Sequence, residues 1–419
     1  MNIIPFSFIH CADLHLGSPF EGLHLVSPDI AETLRDATFK SFENIIDLAI
    51  RKKVDFLVIA GDIYDGADRS LRAQWRFYEL LKKAGKSNIQ CFIAHGNHDP
   101  LSGWEPGLKL PENVYRFGGN EIESAYARRG NNVLACIYGI SYPTRDINEN
   151  YATKFPKAKE EPFAVGILHC NVGGSSDHDN YAPCTIDDLL SCSIDYWALG
   201  HIHTRQILSD NDPLVVYSGN TQGRSVRETG KKGCYIVKVD RDGYANVEFF
   251  ATDVVRWYVE EVSIMNIDSL DTLVNTLMDK KEEIWAKSDG CSAIVRFQLN
   301  GRGEVHGQLR NQESEILASL NDCKGNKGQF VWIESLQINT RPAVDISDLS
   351  QKDSFMGEFL RITESLKSNI RQEMLHILTE PNEHQRIAYY LGKLSDDELL
   401  SILEDAEING LESLLKDEN

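Results

Sequence analysis

The stretch Cys91-Phe92-Ile93-Ala94-His95-Gly96-Asn97-His98-Asp99-Pro100 decides how the chain is read. An apolar run rich in strand formers stops abruptly in Gly, Asn, His and Asp. That is the pattern of a buried strand delivering polar side chains to the edge of a sheet. Four other segments repeat it: Phe8-Ile9-His10-Cys11-Ala12-Asp13-Leu14-His15, Phe56-Leu57-Val58-Ile59-Ala60-Gly61-Asp62, Ala164-Val165-Gly166-Ile167-Leu168-His169 and Trp197-Ala198-Leu199-Gly200-His201-Ile202-His203. Strand ends that all carry Asp, His or Asn describe one metal site assembled from distant parts of the sequence.

Around these segments the chain reads as an α/β (α+β) protein. From about residue 6 to 250, short apolar strands alternate with helical stretches. A helix is expected from about Asp29 to Lys52, with Phe39, Phe42, Ile45, Ile46, Leu48 and Ala49 on one face. A strand at Phe56–Ala60, a helix around Ala73–Lys83 and the strand before His95 continue a βαβ rhythm, so helices pack on a sheet. After Tyr115 the pieces become shorter and strand-like: Val133–Ile140, Phe163–His169, Tyr196–Gly200, Leu214–Tyr217, Gly233–Val239 and Ala245–Phe250, with turns such as Asp242-Gly243 between them. Two sheets facing each other with helices outside suit this content.

Two further regions follow, giving expected divisions of 1–252, 253–342 and 343–419. In the middle region, Trp257–Ile264, Ser292–Leu299 and Phe330–Ile338 read as strands, and Ser269–Lys287 and Glu304–Leu320 as helices. It is a small α/β cap with no metal-ligand pattern. From about Asp353 the chain reads as helical: Phe355, Phe359, Ile362, Leu366, Ile370, Met374 and Ile377 recur every three or four residues up to Pro381. Ser395-x-x-Glu398 is a capping box, and Asn409-Gly410 is expected to stop that last helix. These helices either pack on the chain's own domains or form an arm that docks a partner, since such helices cannot bury their faces alone.

The bulk properties set limits. At 419 residues, 42% hydrophobic and 25% charged, the chain has the composition of a globular protein with a large core. No apolar run approaches a membrane span and the N-terminus lacks a signal-peptide pattern, so no membrane association and a cytoplasmic location are expected. The nine cysteines are scattered, with no CxxC pair, and read as free thiols. Cys11, Cys91 and Cys170 read as small core residues. A formal charge of −20 argues against broad attraction to nucleic acid, although bound divalent cations would invert the local field. The charge is uneven: residues 391–419 hold nine Asp or Glu against Lys393 and Lys416.

Two adjacent divalent metals need a bridging carboxylate and a rim of O and N donors. Asp13 and His15 come from one strand end. Asp62 follows a glycine that turns the backbone, Asn97 supplies an amide oxygen, and His169, His201 and His203 add imidazoles. Each alone has an ordinary explanation: exposed histidines, a common turn, a capped core histidine. Their joint occurrence, each behind a buried strand, does not. Such a site makes hydroxide at neutral pH and stabilises charge building on phosphorus.

Asp13-x-His15, Gly61-Asp62-x-x-Asp65, Gly96-Asn97-His98-Asp99, His169 and Gly200-His201-x-His203 together resemble the signature of the calcineurin-like metallophosphoesterases. The resemblance implies a two-sheet sandwich flanked by helices. It also implies one metal on Asp13, His15, Asp62 and His203, and a second on Asp62, Asn97, His169 and His201, with Asp62 bridging. His98 would then act on the scissile bond, as proton donor or phosphate stabiliser, with Asp99 orienting it from behind. The two divalent metal ions would be manganese, with zinc or iron also compatible.

Asp13-Leu14-His15-Leu16-Gly17-Ser18-Pro19-Phe20-Glu21-Gly22-Leu23 and Tyr217-Ser218-Gly219-Asn220-Thr221-Gln222-Gly223-Arg224, continuing through Arg227-Glu228-Thr229-Gly230 to Lys232-Gly233-Cys234, resemble the DNA-repair exonucleases of this superfamily related to the SbcD type. That resemblance implies exonuclease action on duplex ends, a homodimer and an SMC-like ATPase partner (SbcC-type) gripped by the C-terminal helices. Arg224, Arg227, Lys231 and Lys232 form a basic cluster in an acidic chain and are expected to hold the DNA backbone; the plain alternative is a solvated loop paired with Glu228 or nearby acids. Asn120, Tyr142, Arg145 and His178 are weaker loop candidates for the site. Two rival functions share these residues: a phosphatase or small-molecule phosphodiesterase, and an ATPase-binding scaffold with little activity.

Overall fold

A computed structural model describes residues 3–20, 28–66, 70–103, 109–157, 163–174, 181–322, 329–343, 346–368, 370 and 393–417. Strand β1 (Phe6–Cys11) shows why the centre is so apolar. Phe6 and Phe8 face one hydrophobic cluster, while Ile9 and Cys11 face another on the opposite side. A strand buried on both faces reads as a continuous apolar run rather than an alternation.

The first sheet has the order β12-β11-β1-β2-β3-β4, with β2 (Phe56–Ala60), β3 (Gln90–Ala94), β4 (Val114–Arg116), β11 (Gly233–Val239) and β12 (Ala245–Ala251). β1 to β4 run parallel and β11 joins β1 antiparallel. The second sheet is β5-β6-β7-β8-β10-β9, made of β5 (Glu123–Arg129), β6 (Asn132–Gly139), β7 (Ala164–His169), β8 (Tyr196–Gly200), β9 (Gln206–Ser209) and β10 (Leu214–Tyr217). Its inner strands β6, β7, β8 and β10 are parallel.

The two sheets close on one core in which Phe8 stacks on Phe56 at 4.7 Å and meets Tyr196 edge-on at 5.2 Å. Burying each such ring is worth roughly 2–3 kcal/mol. Helices α1 (Pro28–Lys52) and α2 (Leu71–Lys86) cover the outer face of the first sheet, and Ser70 caps α2 by accepting from the Ala73 amide. The outer face of the second sheet carries a third cluster around Trp197 and Tyr142, next to the short helix α3 (Ile186–Leu190). The expected sandwich is therefore present, with the parallel strands of both mixed sheets turning their carboxyl ends to the same region.

A three-stranded sheet follows, of order β13-β14-β15 with β13 (Val255–Ser263), β14 (Ser292–Gly303) and β15 (Val331–Pro342), alternating with α4 (Leu270–Lys287) and α5 (His306–Asn321). Helices α6 (Ile346–Ser350), α7 (Phe355–Ser368) and α8 (Asp396–Asp417) complete the described elements. By contacts the chain forms two units. One is Met1–Val259 with Lys281–Arg296 and Cys323–Glu334; the other is Glu260–Lys280, Phe297–Asp322 and Ser335–Asn419. Met374, Ile377 and Pro381 of the helical pattern lie outside the described residues.

The capping box holds: the Ser395 amide donates to Glu398 at 2.7 Å and the Glu398 amide to Ser395 at 3.3 Å. Asn409-Gly410 does not stop the helix, which continues through it to Asp417. The glycine serves packing instead, since a Cβ there would lie 2.5 Å from the Phe359 ring of α7. Among the described residues no helix is long and apolar enough to cross a membrane.

Candidate metal centre

The donors come together because neighbouring strands end in step. Beyond β1 and β2 the chain stays paired: the amides of Asp13, His15 and Leu16 donate to the carbonyls of Gly61, Asp62 and Ile63 at 3.1, 3.0 and 2.8 Å. Asp13, His15, Asp62 and His201 all adopt positive φ (51°, 43°, 50° and 97°), a region that non-glycine residues seldom occupy. Gly61 and Gly96 leave room at the centre. A Cβ on Gly61 would sit 2.2 Å from His169 Nδ1, and one on Gly96 would sit 2.3 Å from Asp62 Oδ1.

Potential ligand atoms converge in three overlapping groups: Asp13, His15 and His203; Asp13, Asp62 and His169; and His15, Asp65 and His98. Asn97 Oδ1 is 2.9 Å from His169 Nε2, and Asp62 Oδ2 is 3.3 Å from the same nitrogen. The His201 amide donates to Asp13 at 3.1 Å, and its ring meets that of His169 edge-on at 5.3 Å. Asp13, His15, Asp62, His169 and His203 thus bring donor atoms together, with the Asn97 amide oxygen and the His201 ring beside His169.

The donor chemistry fits cations. His15 Nδ1 faces Asp65 Oδ1 at 2.8 Å and His203 Nδ1 faces Glu228 Oε1 at 2.6 Å, so both rings carry their proton on Nδ1. Their Nε2 atoms then point lone pairs at each other across 3.2 Å, beside the Asp13 and Asp62 carboxylates. Burial and the Arg224 guanidinium push His15 down, keeping that lone pair available. His169 Nδ1 donates to the Ala60 carbonyl at 2.9 Å, which turns Nε2 toward Asp62 and Asn97, two oxygen acceptors. Burial works against a proton there, but Asp62 outweighs it and lifts His169 to about 9. A divalent cation would replace that proton, as metal binding to buried histidine does.

The second layer differs from expectation. Asp99 does not face His98. Its oxygens accept from the amides of Gly96 and Ile63 at 2.8 and 2.9 Å and from His95 Nδ1 at 2.9 Å, which fixes the loop instead. The carboxylate that meets His98 is Asp65, 2.9 Å from Nδ1. This bond raises the His98 pKa against the opposing effect of burial, and the side chain stays 39% exposed. Asp65 also receives His15, Ser18 Oγ and Arg224 NH1; burial works against its charge, but the bonds from His15, His98 and Ser18 outweigh it and hold the carboxylate ionised. The sequence alone assigns neither Asp65 nor Glu228 a role at the metal site. The signals for them are the second Asp of Gly61-Asp62-x-x-Asp65 and an acid four positions after Arg224.

The basic cluster divides. Arg224 is turned inward onto Asp65, Ser18 and Glu228, so its guanidinium organises the site and does not face solvent as a DNA contact. Lys232 is buried, with Nζ donating to the His203 carbonyl at 3.0 Å. Lys231 pairs with Asp289 at 2.7 Å, and Arg227 is exposed. Tyr142 is buried and donates to the His169 carbonyl at 2.7 Å, whereas Asn120 and Arg145 are exposed. Cys11, Cys91 and Cys170 are buried free thiols. His178 lies outside the described residues.

Residues 6–205 match the calcineurin-like phosphoesterase family, and residues 257–341 match the middle domain of the metallophosphoesterase YhaO. The chain is 34% identical to the metallophosphoesterase YhaO of Bacillus subtilis over 406 residues, covering 96% of each chain. It is 25% identical over 393 residues to the DNA double-strand break repair protein Mre11 of Archaeoglobus fulgidus, covering 88% of this chain and 83% of that one. A solved dimetal phosphatase from Danio rerio covers 58% of the chain, and 98% of its own length is matched, at 12% identity and a TM-score of 0.35, too low to bear on the site. A third of all positions shared from end to end, on a sandwich whose strand ends gather Asp, Asn and His, makes the descent plain: this chain is a member of the calcineurin-like metallophosphoesterases.

Proposed function

We propose that the chain is a two-metal phosphodiesterase that cuts DNA, an exonuclease working on duplex ends in repair. The family hydrolyses phosphoesters; the finer reading rests on His98. Its ring is half-exposed beside the donor cluster, its Nδ1 is taken by Asp65, and its Nε2 is left to donate a proton to the leaving oxygen. The likeness to Mre11, a double-strand break repair protein, supports DNA as the substrate.

In this reading Asp13, His15, Asp62 and His203 would hold one metal, and Asp62, Asn97, His169 and His201 would hold the other. Divalent ions there, manganese by preference, would supply a nucleophile at neutral pH and neutralise charge on the phosphoryl oxygens. Asp65 and Glu228 orient the imidazoles, and Arg224 fixes both carboxylates. The same reading takes residues 253–342 as a cap and 343–419 as the arm for an SMC-like ATPase (SbcC-type). It also takes the protein as a cytoplasmic homodimer.

The test is manganese-dependent release of nucleotides from a linear duplex by wild type, His98→Ala and Asp62→Ala. Digestion by wild type alone supports the proposal. Hydrolysis of a simple phosphodiester without action on any DNA would move the substrate to small molecules. Inactivity on both, with the ATPase supplied, would favour a scaffold.

A further inference from the structure

Beside the donor cluster lies a cavity of about 310 Å³ lined by His203, Asn220, Phe249 and four cationic residues, Arg205, Arg227, Lys231 and Lys232. We infer that this cavity is an anion subsite that receives a non-scissile phosphodiester of the substrate strand. The inference rests on the phosphodiesterase reading and adds where a neighbouring phosphate goes.

Its charge is the first argument. In a chain of formal charge −20, the described residues lining the cavity include no carboxylate. Glu228, the nearest acid in sequence, turns away to His203 and Arg224. The cations are also positioned. Arg205 donates to the Lys231 carbonyl at 2.7 Å and lies over the Phe249 ring at 4.1 Å, so its planar donor face is oriented in advance. Lys232 is held by the His203 carbonyl.

The other two can be recruited. Among the described residues the Arg227 guanidinium has no ion pair. Lys231 pairs only with Asp289, and both side chains are more than half exposed, an arrangement worth about 0–1 kcal/mol that a phosphate oxygen can replace. Location supplies the last argument. His203 lines the cavity, while its ring stands 3.2 Å from His15 in the donor cluster, so one residue separates the two sites. The volume is at the small end for ligand sites, which suits a phosphate with part of its sugar rather than a whole nucleotide with its base.

The experiment compares the manganese-loaded wild type, the double variant Arg227→Gln with Lys231→Gln, and Lys238→Gln on β11 as a control of surface charge outside the cavity. Each is assayed on bis(p-nitrophenyl) phosphate, which holds a single diester, and on an oligonucleotide with flanking phosphates. The expected result is a rise in KM for the oligonucleotide at least tenfold larger than the rise for the single diester, with kcat largely kept. The salt dependence of oligonucleotide binding should also become shallower by one to two, the slope expected for that number of phosphate contacts. Equal losses on both substrates, or a loss no larger than that of Lys238→Gln, would overturn the subsite. If wild type cuts neither substrate, the phosphodiesterase reading fails separately, and oligonucleotide binding decides the subsite: weakened in the double variant it stands, unchanged it falls.

Discussion

Replacing Glu228 by Gln should weaken metal binding without emptying the site of a single direct donor. Glu228 is 9% exposed, and its two oxygens are used differently: Oε1 accepts from His203 Nδ1 at 2.6 Å, and Oε2 accepts from the Arg224 amide at 2.7 Å. A glutamine has the same shape but only one acceptor oxygen. If that oxygen faces His203, the NH2 group is driven against the Arg224 N–H. If it faces Arg224, the NH2 group meets His203 Nδ1 and forces the proton onto Nε2, where a metal would have bound. Loss of such an orienting partner typically costs 10- to 100-fold in metal affinity, or about 1.4–2.7 kcal/mol. Arg224 keeps Asp65 and Ser18, so the metal-free fold should lose only about 1–2 kcal/mol. Calorimetric titration of manganese into metal-free protein measures the first quantity, and thermal melting without metal measures the second. Wild-type affinity in the variant would refute the assignment of His203 as a ligand oriented by Glu228. A large loss of stability with metal affinity unchanged would make Glu228 a purely structural residue.

Two further substitutions probe the surroundings. Gly96→Ala places a methyl group 2.3 Å from Asp62 Oδ1 and 2.8 Å from His169, so it should lose most metal-dependent activity at an overpacking cost of about 1–3 kcal/mol; full activity measured beside an unchanged melting curve would show that the loop can yield. His10 is buried between Tyr196 and Leu199, and burial lowers its pKa to about 3, so between the ordinary value near 6.5 and 3 the unfolded chain binds a proton that the folded chain refuses. Its contribution to stability is therefore intact above pH 6.5 and falls by about 1.4 kcal/mol per pH unit as the solution is acidified through that window. His10→Gln should make the acid limb shallower by that slope in denaturant melts, and parallel limbs would contradict it.

What the sequence reveals follows from burial. Each central strand is covered on both faces, so it shows as an unbroken apolar run, and any polar residue at its end is conspicuous: Asp13 after β1, Asp62 after β2, Asn97 after β3, His169 as the last residue of β7 and His201 after β8. Edge strands give no such signal. β5, with the sequence Glu-Ser-Ala-Tyr-Ala-Arg-Arg, is mostly exposed and reads as a polar connection. The second layer is hidden for another reason. Asp65 is a site residue only because His15, Ser18, His98 and Arg224 arrive at it from elsewhere in the sequence, and Asp99 reads as a partner of His98 only by adjacency. Charge counting fails similarly for Arg224, which groups with Arg227, Lys231 and Lys232 in the sequence but is held in space by the carboxylates of Asp65 and Glu228. Gly410 reads as a helix stop because Gly usually is one after Asn; the contact with Phe359 depends on a helix more than forty positions away.

The backbone at the site argues that the ligands are arranged before any metal arrives. Asp13, His15, Asp62 and His201 hold left-handed conformations that cost a non-glycine residue about 1 kcal/mol or more each. Such a conformation persists only where surrounding structure over-determines it, and here every strand leading to it is buried: β2 and β8 are apolar on both faces and β1 is nearly so. The amides of Asp13 and His15 are tied to the carbonyls after β2, and the His201 amide to the Asp13 carboxylate. The sheets therefore bear the strain, and a cation finds donors that need little ordering. Chelation should leave the far-ultraviolet dichroism unchanged and lower the melting temperature, which should then climb with the logarithm of added manganese, by about 2.7 kcal/mol of stability at a hundredfold excess over the dissociation constant. Loss of secondary structure on chelation would mean that the metal builds the fold, as it does in small zinc domains, and that the strained strand ends are held by the ion rather than by the strands behind them.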